Sequence, residues 1–388
     1  MRWLVYFLMV ASLPIASAQV STGTDALIEQ LGADTYKERV AANKKVRGLG
    51  FRALPALRRA STHEDPEVQL RANDLVAAIL KEALKELQVL GTHPGAGHKK
   101  WATRSMFTPD GKFLITGSLS DIRVWNLETG KLGKVFNHRS ETWSLNLSPD
   151  GSRLAVGGSP AIRLFDWQQG KLTGKIFAHE NSVWGAQFDA KGEHMISVAK
   201  DKQLVVWNLA ENKSVKNFEL PGRGRALELM PDGKTALITV FESEHVPGTV
   251  QLWDVEAGKV LRVFKGHKKS PASFELSPDR RVLATASFDA TIRLWEFATG
   301  APLKTIEAHK DGVEDVAFSP DGFYLLSCGT PADPTVRLWD VKTGKELHCS
   351  RKQPHGMISL TFAPDGKRFV TTGKDGSVRL WQFGIPAK

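Results

Sequence analysis

Cysteine and tyrosine are scarce in this chain, with two cysteines and three tyrosines among 388 residues that include 34 glycines and 11 tryptophans. Two cysteines cannot build a disulfide scaffold. The sequence contains no Cys-x-x-Cys-His haem motif, no Gly-rich phosphate loop, no Gly-x-Ser-x-Gly elbow and no metal-spaced His/Asp cluster. No cofactor, no metal site and no catalytic residue is expected on these grounds. Beyond the first residues no apolar run approaches the roughly 20 residues of a spanning helix. Lysine and arginine outnumber acids to give a net charge of +10, but they form no long basic run, so a nucleic-acid partner is not expected.

The N-terminus begins with a short basic start, Met1–Arg2, followed by a mostly apolar stretch from Trp3 to Leu13 and small residues at Ala16-Ser17-Ala18. This is the pattern of a signal peptide cut after Ala18, and Pro14 argues against an uncleaved membrane anchor. The expectation is a secreted or periplasmic protein with no membrane span after cleavage.

What the chain has in abundance is a repeat. An apolar strand ending in an aromatic recurs at Trp125, Phe165, Trp207, Trp253, Trp295, Trp339 and Trp381, at intervals of 40 to 46 residues. A Pro-Asp-Gly type of turn keeps the same phase, from Thr108–Lys112 to Ala363–Lys367. Proline presets φ there, aspartate bonds the local backbone and glycine accepts φ > 0. The departures Ala190-Lys191-Gly192 and Pro278-Asp279-Arg280 imply slightly different turns. Each unit reads as four antiparallel strands, a to d, and seven such units close a β-propeller. Cys328 and Cys349 fall on strands b and d of one blade. Two strand spacings of about 4.8 Å put them beyond bridging reach, so both thiols should be free, and His348 beside Cys349 reads as strand filler.

With a His before most first strands and an Asp six residues before several of the aromatics (Asp201, Asp289, Asp333, Asp375), the stretch from about residue 85 to the end resembles the WD40 family. The resemblance implies a hydrogen-bonded tetrad within each blade. It is expected in full only in the fifth unit, as His267, Ser287, Asp289 and Trp295. Units six and seven offer His309, Asp333, Trp339 and His355, Asp375, Trp381 without a matching serine, and unit three has Ala199 at that place. Unit four lacks the His and carries an insertion at 241–248, while unit two has Phe165 for the Trp and lacks the Asp. The last unit lacks its own strand d, and Lys85–Leu90 is expected to supply it.

The expected domains are thus a signal peptide at 1–18, a helical arm at 19–84 and a seven-bladed propeller at 85–388. In the arm, Asp34 can cap a helix over Thr35–Leu49, Phe51–Ala60 follows, and Asp65-Pro66-Glu67 starts a third helix with Val68, Leu75, Val76, Ile79 and Leu80 on one face. A weaker helix, Ala26–Leu31, precedes them. This stretch is similar to HEAT-type repeats. So short a stack either docks on the propeller or offers its apolar groove to a partner.

The resemblance implies partner contacts on the face of the d–a and b–c loops. Counted on this chain, they are Trp101, Trp143, Trp184, Arg223 and Arg225 at the starts of strands a, with Lys200, Phe288 and Lys374 before the tetrad Asp. Trp143 and Trp184 either pack between blades or meet the partner. Together these residues read as an aromatic and basic patch suited to an acidic protein partner. The expected function is a non-catalytic binding scaffold. The alternative is a hydrolase or lactonase-like propeller enzyme with its site near the fourth unit.

Overall fold

A computed structural model describes residues 23–81, 83–91, 97–138 and 140–384. The signal-peptide segment and its cleavage site after Ala18 lie outside the described residues. The chain divides into a smaller unit that carries the helices and a larger one, Glu86–Trp381.

The helical unit contains α1 (23–29), α2 (Tyr36–Leu49), α3 (Leu54–Ala60) and α4 (Pro66–Lys81). Thr35, rather than Asp34, caps α2. Its Oγ1 accepts from the Glu38 amide at 3.2 Å and donates to the Glu38 carboxylate at 2.7 Å, so a reciprocal Thr/Glu pair fixes this end one residue later than read. Gly50 ends α2 at φ 56°. Asp65 caps α4 by accepting from the Glu67 amide at 2.8 Å. Val68, Leu75 and Ile79 are buried on its inner face.

Twenty-eight strands, β1 to β28, form seven four-stranded sheets among the described residues. Six sheets are built from consecutive strands, giving blades one to six over residues 102–137, 144–176, 183–219, 223–265, 271–307 and 313–349. The innermost strands are β2 (Ala102–Phe107), β6 (Ser144–Leu147), β10 (Val183–Phe188), β14 (Arg223–Leu229), β18 (Pro271–Leu276), β22 (Val313–Phe318) and β26 (Met357–Phe362). Each lies beside the next, and β26 lies beside β2, so the ring closes.

The seventh sheet draws on both sides of the propeller sequence. Its order is β1–β28–β27–β26, with β1 at Leu84–Leu90, β27 at Arg368–Gly373 and β28 at Val378–Phe383. Leu90 packs in a core with Ala102, Trp125, Val378 and Leu380, which joins the first and last blades. Glu86 approaches Arg379 at 3.7 Å across the same seam. Second strands such as β27 are almost wholly buried, because blades cover both faces. Outer strands such as β5 (Lys131–Asn137) and β17 (Lys259–Lys265) are mostly exposed, and their lysines discourage edge-to-edge pairing. Cys328 and Cys349 lie on the second and fourth strands of blade six as free thiols.

The repeated turns are more uniform than their sequences. Gly111, Gly151, Gly192, Gly233, Gly322 and Gly366 take φ between 64° and 73°, and Arg280 takes the same conformation at 58°. The two departures therefore keep the ordinary turn, and Arg280 bears the steric cost of a side chain there. We expect Arg280→Gly to raise stability by a few tenths to about 1 kcal/mol, measured by denaturant midpoint, because the relieved clash exceeds the entropy glycine adds to the unfolded chain. Leu90→Ala should cost about 2–4 kcal/mol by opening a cavity in the seam. Leu87→Ala, at a side chain 45% exposed on the same strand, should cost under about 1 kcal/mol on the same measurement.

Candidate binding face

The buried His–Asp pairs are bound up in the blades. In blade one the indole N–H of Trp125 donates to Thr116 Oγ1 at 2.9 Å, and Thr116 lies 2.8 Å from His98 Nε2. An indole N–H can only donate. The threonine proton is therefore free for Nε2, and His98 Nδ1–H donates to Asp121 at 2.6 Å. Blade five repeats this chain through Trp295, Thr285, His267 and Asp289, and blade six through Trp339, Ser327, His309 and Asp333. Blade three has His179, Ser197 and Asp201, while the Trp207 Nε1 stands buried without a partner.

These contacts correct the expected tetrads. The hydroxyl in blade five is Thr285, two residues before Ser287. Ser287 instead donates to the Ser270 carbonyl and accepts from the Asp289 amide, both at 3.1 Å. The same offset makes Ser197 and Ser327 the working hydroxyls in blades three and six. In blade seven Thr371 takes the Trp381 N–H at 2.9 Å, but His355 is exposed. Gln353, 18 residues before Thr371, occupies the histidine place and accepts from Arg379 at 2.8 Å. Asp121, four residues before its Trp, was missed because the expected spacing was six.

Burial depresses the pKa of His98, and it holds His309 down to about 4 against the opposing pull of Asp333. Burial works against the Asp121 carboxylate, but His98, Ser118 and Arg123 outweigh it and hold it well below the usual range.

The eight expected contact residues lie at the starts of innermost strands or in the loops beside them. Trp101 is 43% exposed, with the Lys374 ammonium 5.4 Å above its ring. Trp143 and Trp184 are half-buried and meet edge to face at 6.4 Å. Phe241, from the insertion of blade four, stacks on Trp184 at 5.7 Å, and Lys200 sits 4.5 Å over the Trp184 ring. Arg225 lies 5.0 Å over Phe288. Arg223 is exposed at the start of β14. All eight are thus placed on one face, but they do not form a basic patch. Arg225 reaches Glu244 at 3.5 Å and Glu314 at 3.6 Å, Lys374 reaches Glu314 at 3.2 Å, and neighbouring Lys202 reaches Glu242 at 3.0 Å. Acids from the insertion neutralise much of the charge, and Arg225 is engaged within the ring.

Below these rings a cavity of about 200 Å³ is lined by Arg104, Trp143, Trp184, Arg225, Glu314 and Asp315, among others. Burial pushes the Asp315 carboxyl up, opposed by bonds from Ser273 and the Leu360 amide. Burial also lowers the Arg104 guanidinium. Arg104, Asp315 and the insertion acids were missed because no repeat period marks them.

Seven four-stranded sheets in a closed ring, the seventh completed by a strand that precedes the first blade, define a seven-bladed β-propeller. The model for the WD domain, G-beta repeat, matches residues 87–126, 170–208, 258–296, 300–340 and 347–382, and the chain belongs to the WD40 family. It is similar to Autophagy-related protein 16 of Arabidopsis thaliana, at 24% identity over 46% of this chain and 35% of that protein. It is also similar to eukaryotic translation initiation factor 3 subunit I of Phaeosphaeria nodorum, at 22% over 43% of this chain and 52% of that protein. Apoptotic protease-activating factor 1 of Rattus norvegicus matches at 26% over 50% of this chain and 18% of that protein. The aligned part thus spans about half or less of each relative.

Stability should fall as acid charges the buried histidines. His309 ionises in the unfolded chain near pH 6.5 and in the fold near 4. Its contribution is complete above about 6.5 and is lost as pH falls through that window, at up to about 1.4 kcal/mol per pH unit. Denaturant titrations at pH 7, 5.5 and 4.5 should show a steady decline, continuing at lower pH as Asp121 and Asp289 protonate. Thr285→Val should cost about 2–3 kcal/mol, since it strands both the Trp295 N–H and His267 Nε2. Thermal unfolding should show a smaller loss for Ser287→Ala.

Proposed function

We propose that this chain is an exported, non-catalytic scaffold that recruits a protein partner on the loop face of the propeller. The observation that carries the reading is Trp101, a large ring held out to solvent under the Lys374 ammonium, beside the half-buried cluster of Trp143, Trp184 and Phe288. Exposed aromatics backed by a rigid surface supply contact area at low entropic cost. The His–Asp pairs support binding over catalysis: in blades one, three, five and six the imidazole is shut from solvent and tied to a hydroxyl. The name of one relative, a translation initiation factor subunit, describes a part of a larger assembly and agrees with this reading. The positive balance of the chain, with Arg223 exposed and Lys200 bearing on Trp184, favours an acidic partner. Export rests on the basic start, apolar run and small-residue site of residues 1–18.

The test is affinity capture from envelope or secreted extracts, comparing wild type with Trp101→Ala/Arg223→Ala. Both substitutions lie at exposed side chains, so far-UV circular dichroism and the melting temperature should be nearly unchanged. A specific partner held by wild type and lost, or weakened at least tenfold, with the variant is the expected outcome. Equal retention by both would overturn the loop-face reading. N-terminal sequencing of the exported protein should begin at Gln19, and a cell-retained protein beginning at Met1 would overturn export.

A further inference from the structure

Blade two departs from blade one at Val156, Ala161 and Phe165, and the departures leave a buried histidine and an arginine without the carboxylate that joins their counterparts. Strand register aligns the blades residue by residue. In blade one Thr116 pairs with Arg123 and Gly117 with Ile122; in blade two Val156 pairs with Arg163 and Gly157 with Ile162. Val156 therefore stands at the tetrad hydroxyl, Arg163 at the repeat arginine, and Ala161 at the place of Asp121.

In blade one the carboxylate of Asp121 is gripped from two sides, by His98 Nδ1 at 2.6 Å and Arg123 Nε at 2.9 Å. Blade six does the same with Asp333, between His309 Nδ1 at 3.2 Å and the Arg337 guanidinium at 2.9 Å. Blade two keeps the histidine and the arginine without the acid. His138 is 8% exposed, and its Nδ1 is buried with no hydrogen-bond partner among the described residues, while its Nε2 lies 2.9 Å from Thr142 Oγ1. Among the described residues Arg163 reaches the Ala161 carbonyl alone, at 3.4 Å. Phe165 replaces the larger tryptophan, and a cavity of about 280 Å³ opens between Asn137, His138, Arg163, Phe165, Leu172 and Lys175. Burial and the neighbouring Arg163 hold His138 down to about 4 against the weaker opposing pull of Asp121 from blade one.

We propose that this cavity is a binding site for a small organic carboxylate, which takes the place that Asp121 fills in blade one. The ligand carboxylate accepts from His138 Nδ1–H and from the Arg163 guanidinium. Phe165 and Leu172 pack on a short apolar stem, and the exposed Lys175 at the outer end favours a second acidic group. The ligand class is therefore a short dicarboxylate. The site is separate from the channel mouth and stands whether or not that face binds a protein.

The test is calorimetric titration of the full chain with glutarate, butyrate and inorganic phosphate. Glutarate should bind saturably at one site, and butyrate at least several-fold more weakly. Arg163→Gln should weaken glutarate at least tenfold. Lys175→Ala, at an exposed side chain that the fold does not need, should remove the preference for glutarate over butyrate. Ala161→Asp supplies the missing carboxylate from the chain itself, so it should raise the melting temperature and abolish binding. The histidine NMR signal of His138 should titrate at higher pH when glutarate is bound to the wild type. Absence of saturable glutarate binding, or binding unchanged in Ala161→Asp, would overturn the site. Phosphate binding without glutarate binding would overturn the carboxylate assignment.

Discussion

The seam in the seventh blade governs the rest of the ring, because a closed circle of sheets tolerates no unpaired edge within it. Six blades are local: their four strands follow one another, and a short turn joins each pair. The seventh needs β1, almost 300 residues before its partner β28 in sequence. Once β1 is seated, Leu90 joins the first and last blades in one core, and every innermost strand has two neighbours. The loop face can then act as a single rigid surface, since its residues come from blades held in fixed relation. The stacking of Lys374 from blade seven over Trp101 from blade one depends directly on that seam.

Within the blades, the Trp–hydroxyl–His–Asp chains solve a second problem. A long buried strand c needs an anchor for its aromatic, and the d–a loop needs a tie to the sheet. One hydroxyl serves both in blades one, five and six, accepting from the indole and donating to the imidazole, so that one group satisfies two buried partners. The loops that carry the candidate contacts are thereby attached to the most buried part of each sheet. The same arrangement explains why a His–Asp pair here differs from a catalytic dyad. Its second imidazole nitrogen is committed to a hydroxyl rather than turned toward a substrate.

Much of this architecture was legible in the sequence, and for a local reason. The aromatic at the end of strand c, the Pro-Asp-Gly turn and the glycine of the c–d hairpin act within a few residues of one another, so their spacing survives in one dimension. The tetrad hydroxyl was not legible in that way. Ser287 lies beside Asp289 in sequence, whereas Thr285 reaches Trp295 across the sheet, and only strand register distinguishes them. The cap of α2 shows the same limit on a smaller scale, with Thr35 chosen over Asp34 by its pairing with Glu38. At the mouth, the aromatic and cationic residues follow the repeat, so their positions at or beside the starts of the innermost strands could be counted from it. Phe241, Glu242 and Glu244 lie on an insertion with no period, and they turn an expected basic patch into a mixed, internally paired one.

A repeat protein also carries its own controls, since each blade shows what its neighbours would be without their departures. Where a unit loses one member of the network and the rest decays with it, the loss reads as tolerated drift. Blade four fits this pattern in part: without its histidine, Trp253 bonds Gln251 at 2.9 Å, and what is left buried without a partner among the described residues is an uncharged hydroxyl, Thr239 Oγ1. Blade two does not fit it. The acid and the hydroxyl are gone, yet His138 stays buried with an Nδ1 that has no partner among the described residues, at a cost of about 1–3 kcal/mol, and Arg163 stays half-buried on the same cavity. Drift should have relieved that cost by a single change at His138. Its presence beside an open cavity is the reason to look for the missing anion in solution rather than in the chain.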